Sequence, residues 1–167
     1  YIKGKVVPEN KQTARDWYDK AAGQGNAKAQ RSLARMYFEA DGILQDREKA
    51  MEWFAKAADQ GDAEAQADLG GIHQREGEST KAVAFYEKAA EQGNARAQRE
   101  LARLLSAEGV LKDVKRAGKL MRAAAERGDA EAKSELADAK REREERMAQV
   151  KARMAAQEEA EREAAEK

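Results

Sequence analysis

A ten-residue pattern returns four times in this chain, and a chain written that way is constrained to fold as an array of like units. Ala21-Ala22-x-x-Gly25-Asn26-Ala27-x-Ala29-Gln30 is followed by Ala57-Ala58-x-x-Gly61-Asp62-Ala63-x-Ala65-Gln66 and by Ala89-Ala90-x-x-Gly93-Asn94-Ala95-x-Ala97-Gln98. The fourth copy, Ala124-Ala125-x-x-Gly128-Asp129-Ala130-x-Ala132-Lys133, ends on Lys instead of Gln. The four glycines stand 36, 32 and 35 residues apart. Each copy reads as a joint between two helices. Glycine supplies the left-handed residue that closes one helix, and the Asn or Asp after it caps the next.

Apolar residues flank each joint at helical spacing. Upstream stand the pairs Trp17-Tyr18, Trp53-Phe54, Phe85-Tyr86 and Leu120-Met121; downstream stand Leu33, Met36 and Tyr37, then Leu69, Ile72 and His73, then Leu101, Leu104 and Leu105. Steps of three and four put each set on one helix face. In the first full unit this predicts a helix A over about Ala27–Glu39 and a helix B over about Arg47–Gln60, with Trp17, Trp53 and Phe85 largely buried. The Ala pairs let neighbouring helices approach closely. One such hairpin cannot bury its apolar face alone, so the array carries the stability. The links from A to B also recur: Gly42-Ile43-Leu44-Gln45-Asp46, Gly109-Val110-Leu111-Lys112-Asp113 and, near the start, Gly4-Lys5-Val6-Val7-Pro8, with the shorter Glu76-Gly77-Glu78-Ser79-Thr80 between.

These residues resemble the Sel-one-like repeat family, a branch of the tetratricopeptide repeat superfamily. The likeness lies in the Leu and Tyr of helix A, the Gly-Val-x-x-Asp link and the Trp-Tyr-x-Lys-Ala-Ala-x-x-Gly run of helix B, and it covers residues 1 to about 138. His73 and Leu105 depart from it, since the family prefers Tyr there, as does the short second link. The resemblance implies an all-α, superhelical solenoid of helix pairs that serves as a non-catalytic scaffold for protein partners. In bacteria it implies envelope, secretion, signalling or host-contact roles, so a periplasmic, envelope or secreted place is expected beside a cytoplasmic one. The solenoid is expected over 1–138, in units of about 1–25, 26–61, 62–93 and 94–128 with a last helix from 130, and a charged helical extension over 139–167. Tyr1 stands at the phase of Tyr37 and there is no initiating Met, so earlier repeats and a processed or excised form are expected.

Residues 130–167 contain neither Gly nor Pro. As one helix, 38 residues would reach about 57 Å. Glu142–Arg146, Glu158–Arg162 and Glu163–Lys167 are i,i+4 pairs in the favourable order, each contributing ~0.3–0.5 kcal/mol. Met147, Val150 and Met154 form a narrow stripe, short of the three to four heptads of a convincing coiled coil. Two readings stay open, a solvated helix that caps the solenoid, and a seam for self-association or docking.

Composition excludes much chemistry. With 32 basic and 32 acidic residues, nothing global draws the chain to nucleic acid or an anionic membrane. There is no cysteine and one histidine, which removes the usual zinc sites and disulfides. No apolar run approaches the roughly 20 residues of a membrane span. His73 sits at a packing position, the glycines punctuate helices, and no phosphate loop or nucleophile constellation is present. No catalytic residue, cofactor or metal is assigned. Lys140–Arg153 carries six basic residues, and nucleic-acid or membrane-surface contact there is the alternative reading. Interrupting acids and the lack of an aromatic weigh against it.

What remains is a binding surface. The resemblance places the A helices on the inner face, with Lys28, Arg31, Arg35, Phe38 and Glu39 from the first unit turned inward. Arg96, Arg99, Arg103 and Ser106 come from the third. The unit between offers Glu64, Ala67, Gly71, Gln74 and Arg75, whose small residues leave a gap. The stripe of basic residues suits an acidic peptide or helix, with Phe38 as an apolar anchor. On this reading, reversing Arg31, Arg35, Arg99 and Arg103 to Glu abolishes binding and leaves melting intact.

Overall fold

The computed structural model describes residues 11–39, 46–107 and 113–165. Over these the chain forms eight α-helices and no strand. They are α1 (Lys11–Gly23), α2 (Ala27–Glu39), α3 (Arg47–Asp59), α4 (Ala63–Arg75), α5 (Ser79–Glu91), α6 (Ala95–Ser106), α7 (Val114–Glu126) and α8 (Ala130–Ala165). Helices α2, α4, α6 and the start of α8 are the A helices; α1, α3, α5 and α7 are the B helices. The links at 42–45 and 109–112, the segment 4–8 and Tyr1 lie outside the described residues.

Each joint is built as its residues dictate. Gly25, Gly61, Gly93 and Gly128 have φ of 87°, 86°, 82° and 95°, a region closed to most side chains. The next residue caps the following helix: Asn26, Asp62, Asn94 and Asp129 accept from the backbone N–H three residues on at 2.8–2.9 Å. The repeated glutamine seals the joint from inside. Gln30, Gln66 and Gln98 are buried and donate to the carbonyls of Ala22, Ala58 and Ala90 at 3.1–3.2 Å. Gln60 and Gln92, each just before a joint glycine, donate to Gln30 and Gln66 at 2.7 and 2.8 Å, which links one joint to the next. Arg127 holds that place in the fourth joint, and buried Gln98 Oε1 has no donor.

The core fills in two blocks. One joins Ala22, Leu33, Ala34, Tyr37, Phe54 and Ala57 to Leu69 and Ile72; the other joins Ala67, Tyr86, Ala89 and Leu101 to Leu105 and Ala117. They meet along α4, which contributes to both. Here the structure corrects the expected core. Trp17 is 68% exposed, and Trp53 and Phe85 are only half-buried, while Phe54 and Tyr86, one residue on, are 2% exposed. One residue turns a helix by 100°. Phe54 and Tyr86 therefore face the neighbouring A helices, and the preceding aromatic lies on the flank. There Lys20, Lys56 and Lys88 sit over the rings of Trp17, Trp53 and Phe85, with Lys56 Nζ 4.2 Å from the centroid, a cation–π contact that tolerates exposure.

Helix α8 starts as a packed A helix. Ala132 is buried and Leu136 half-buried against the solenoid. From residue 137 to 159 every side chain is exposed, including Met147, Val150 and Met154. The helix then runs on unbroken to Ala165, with ion pairs of Arg141 to Asp138 and Lys140 to Glu144 along it. No helix among the described residues is long and apolar enough to cross a membrane.

Candidate functional site

Arginines that read as a free basic stripe are largely engaged within the array. Each sits on one A helix and binds acids of the next. Arg31 reaches the cap Asp62 at 2.6 Å, and Arg35 reaches Asp68 at 2.7 Å and Glu64 at 3.5 Å. One pair of units further on the same set recurs: Arg99 holds the cap Asp129 at 2.9 Å, and Arg103 bonds Glu131 and Glu135. Arg31 and Arg99 stand six residues after their joint glycine, Arg35 and Arg103 ten. Arg99 and Asp129 are nearly buried, with side chains 9% and 10% exposed. Burial works against the charge of Arg99, but bonds to Glu100 and the nearby Asp129 outweigh it, and its affinity for the proton rises. The hydrogen bond that Arg103 donates to Glu135 raises its own.

In the second unit those two positions are Ala67 and Gly71. No arginine clamps α4 onto α6 from there, and the A-helix row opens instead. A cleft of about 340 Å³ lies at this junction. Phe38, Phe54, Ala67, Gly71, Ile72 and Tyr86 line it, together with Gln74 and the charged side chains of Arg35, Arg75, Arg96, Asp68 and Glu100. The Arg75 guanidinium lies 5.3 Å over the Phe38 ring and has no carboxylate partner among the described residues. Tyr86 donates its hydroxyl to Gln74 at 2.8 Å, and burial pushes its pKa up to about 12. Gly70, next to Gly71, lets the Tyr86 ring approach: a Cβ there would meet ring carbons at 2.7 Å.

Of the residues expected at the binding face, Arg35, Phe38, Gln74, Arg75 and Arg96 come together around this cleft. Arg31, Arg99 and Arg103 do not line it, and Lys28 is exposed away from its lining. Arg96 is also held by Asp68. The side chain of Glu39 lies outside the described residues. Reversing the four arginines would set Glu against Asp62, Asp68, Asp129 and Glu135, so melting would not stay intact as the sequence reading had it. Sequence reasoning missed the partners because they lie about 30 positions away, although Asp or Glu at matching phases of the following unit was the available signal.

His73 packs as expected, stacked on Phe85 at 5.4 Å and 8°. Its Nδ1 lies 2.6 Å from Glu78 and 3.5 Å from Glu76. The three could offer ligand atoms to a metal, a grouping that the sequence reading did not single out. Each carboxylate already has a cation within the chain, however, Arg47 for Glu76 and Lys81 for Glu78.

The model of the Sel1 repeat matches residues 1–26, 27–62, 63–94 and 95–129. The chain belongs to the Sel1 repeat family. Sel1 repeat proteins are generally scaffolds for protein–protein interaction and typically lack catalysis. Among solved structures, a Sel1 repeat protein from Oxalobacter formigenes is 32% identical with a TM-score of 0.72, over 78% of this chain and 56% of its own. A protective antigen present in uropathogenic Escherichia coli strains, which displays the same repeat fold, is 38% identical with a TM-score of 0.70, over 76% of this chain and 28% of its own. This Sel1 repeat chain thus spans little more than half of one relative and under a third of the other. No curated protein matches it.

Proposed function

We propose that this Sel1 repeat solenoid binds a protein partner through the A-helix face, which family likeness makes the concave one, and that the partner's anchor enters the cleft beside α4. The observation that carries the reading is the replacement of the paired arginines by Ala67 and Gly71. Arginines at those two positions lock the same face at the junctions on either side; at this one Arg96 bonds Asp68 and Asn94 donates to Glu64, and the cleft opens beside them. Phe38, Phe54 and Tyr86 offer an apolar seat, and Arg75 offers donors for a carboxylate. The role is non-catalytic. An envelope or secreted setting belongs to the same reading, supported by the likeness to a protective antigen, and is tested by fractionating cells that express the whole protein.

A photo-crosslinking benzoylphenylalanine at Phe38 tests the docking face, with matched probes at Trp17 and Lys88 on B helices. Protein adducts are expected from Phe38 and not from the other two. Adducts confined to Trp17 or Lys88 would move the binding face to the B helices.

A further inference from the structure

The chain carries a segment whose chemistry matches the cleft. On α8, Met154 is 59% exposed, and Glu158 follows four residues on, so an apolar side chain and a carboxylate share one helix face about 6 Å apart. Glu159, Glu161 and Glu163 follow against Arg162 alone, so residues 154–165 carry a formal charge of −3 from four acids and one base. The cleft lining carries Arg35, Arg75 and Arg96 against Asp68 and Glu100, a balance of +1. The same helix cannot serve its own cleft. It is unbroken from Ala130 to Ala165, and every side chain from 137 to 159 faces solvent. Met154 lies about 24 Å along the helix beyond Asp138, at 1.5 Å per residue, clear of the solenoid that bears it.

We propose that the cleft beside α4 takes the distal, acidic third of α8, residues 154–165, from a second copy of this chain, with Met154 seated over Phe38 and Gly71 and Glu158 on Arg75. This rests on the cleft being the docking site. A helix laid in a groove with one apolar anchor and a flanking charge is an ordinary recognition mode. The interface is heterologous, cleft to helix, so two copies can exchange helices reciprocally or many can join head to tail. It also gives the Met147, Val150 and Met154 stripe a partner. Direct pairing of two α8 stripes in parallel would instead place Lys140, Arg143 and Glu161 against their own copies, at the a and d positions of that seam.

Complementation by two variants in sedimentation experiments tests it. One blocks the cleft, Gly71→Leu with Arg75→Glu; the other blocks the helix, Met154→Lys with Glu158→Lys. The unchanged chain is expected to self-associate between micromolar and millimolar concentration. Each variant alone should be at least about tenfold weaker, with salt weakening the unchanged chain as well. An equimolar mixture should restore a one-to-one complex, because one variant keeps the helix and the other the cleft. Far-ultraviolet melting checks that each is folded, and Arg75→Glu alone replaces the cleft variant if Gly71→Leu fails that check. A monomeric unchanged chain, or a mixture that stays dissociated while the unchanged chain associates, overturns the proposal. If the chain is monomeric while Phe38 still crosslinks to a different protein, the docking face stands and the self-pairing falls.

Discussion

Adjacent residues in this chain have opposite duties, and substitutions should separate them. Gly70 and Gly71 share a helix turn, yet only the first touches a ring. Gly70→Ala drives a Cβ to 2.7 Å from Tyr86. It should cost about 1–3 kcal/mol, as overpacking does. Gly71→Ala meets nothing nearer than 3.5 Å and should be neutral or stabilising by up to about 1 kcal/mol, because Ala is the better helix former. Urea unfolding of the two variants decides this, and equal effects would contradict the packing described. The aromatic pairs behave alike. Phe54→Ala should cost about 3–5 kcal/mol by leaving a cavity, whereas Trp17→Ala, exposed on its flank, should fall within about 0.5 kcal/mol.

Helices here draw stability from different sources. The B helix α5 is entered through a short turn in which Glu78 accepts from Lys81 at 2.9 Å and faces His73. The bond from Lys81, then that from His73, holds the Glu78 carboxyl below its ordinary value of 4.5. A depressed folded-state pKa stabilises the fold above the unfolded value and loses that contribution as pH falls through the folded one. Melting temperature should therefore drop on acidification below about pH 4.5, and Glu78→Gln should show a shallower drop there than the unchanged chain. An identical acid profile for Glu78→Gln would remove Glu78 from that dependence. Helix α8 is the contrary case. From residue 137 to 159 its side chains are exposed, so deleting residues 141–167 should lower helix content yet leave the melting temperature of the dilute solenoid unchanged. A clear fall would mean that the distal helix packs on the repeats.

Across the whole molecule the A-helix row alternates. Units one and three present arginines, units two and four present the acids that receive them. These ion pairs join units that are neighbours in space but about 30 residues apart in sequence, so they brace the stack from one repeat to the next. Exposed members contribute little. Arg99 differs in that both it and Asp129 are nearly buried, and removing the arginine leaves a shielded carboxylate. Arg99→Ala should cost about 1–3 kcal/mol, whereas Lys28→Ala should fall within about 0.5 kcal/mol. Chemical denaturation of the two tests the distinction, and a silent Arg99→Ala would make the pairing incidental. The interruption of the ladder at Ala67 and Gly71 opens the cleft, so the brace and the binding site are two states of one pattern.

The sequence by itself determined the repeat, the helix pairs, their caps and glycine joints, and the long final helix. All of these follow from local rules: backbone φ, first-turn hydrogen bonds and the absence of helix breakers act within a few residues. It also pointed to Phe38, Gln74, Arg75 and the gap at Gly71. Tertiary structure alone decided which aromatic of each pair turns inward, because one residue of rotation separates core from flank and both positions read as apolar. It alone decided that Arg31, Arg35, Arg99 and Arg103 are engaged, since a charge on a helix face becomes a free site or a brace according to what the next unit sets opposite it. That choice depends on stacking, which no single repeat contains.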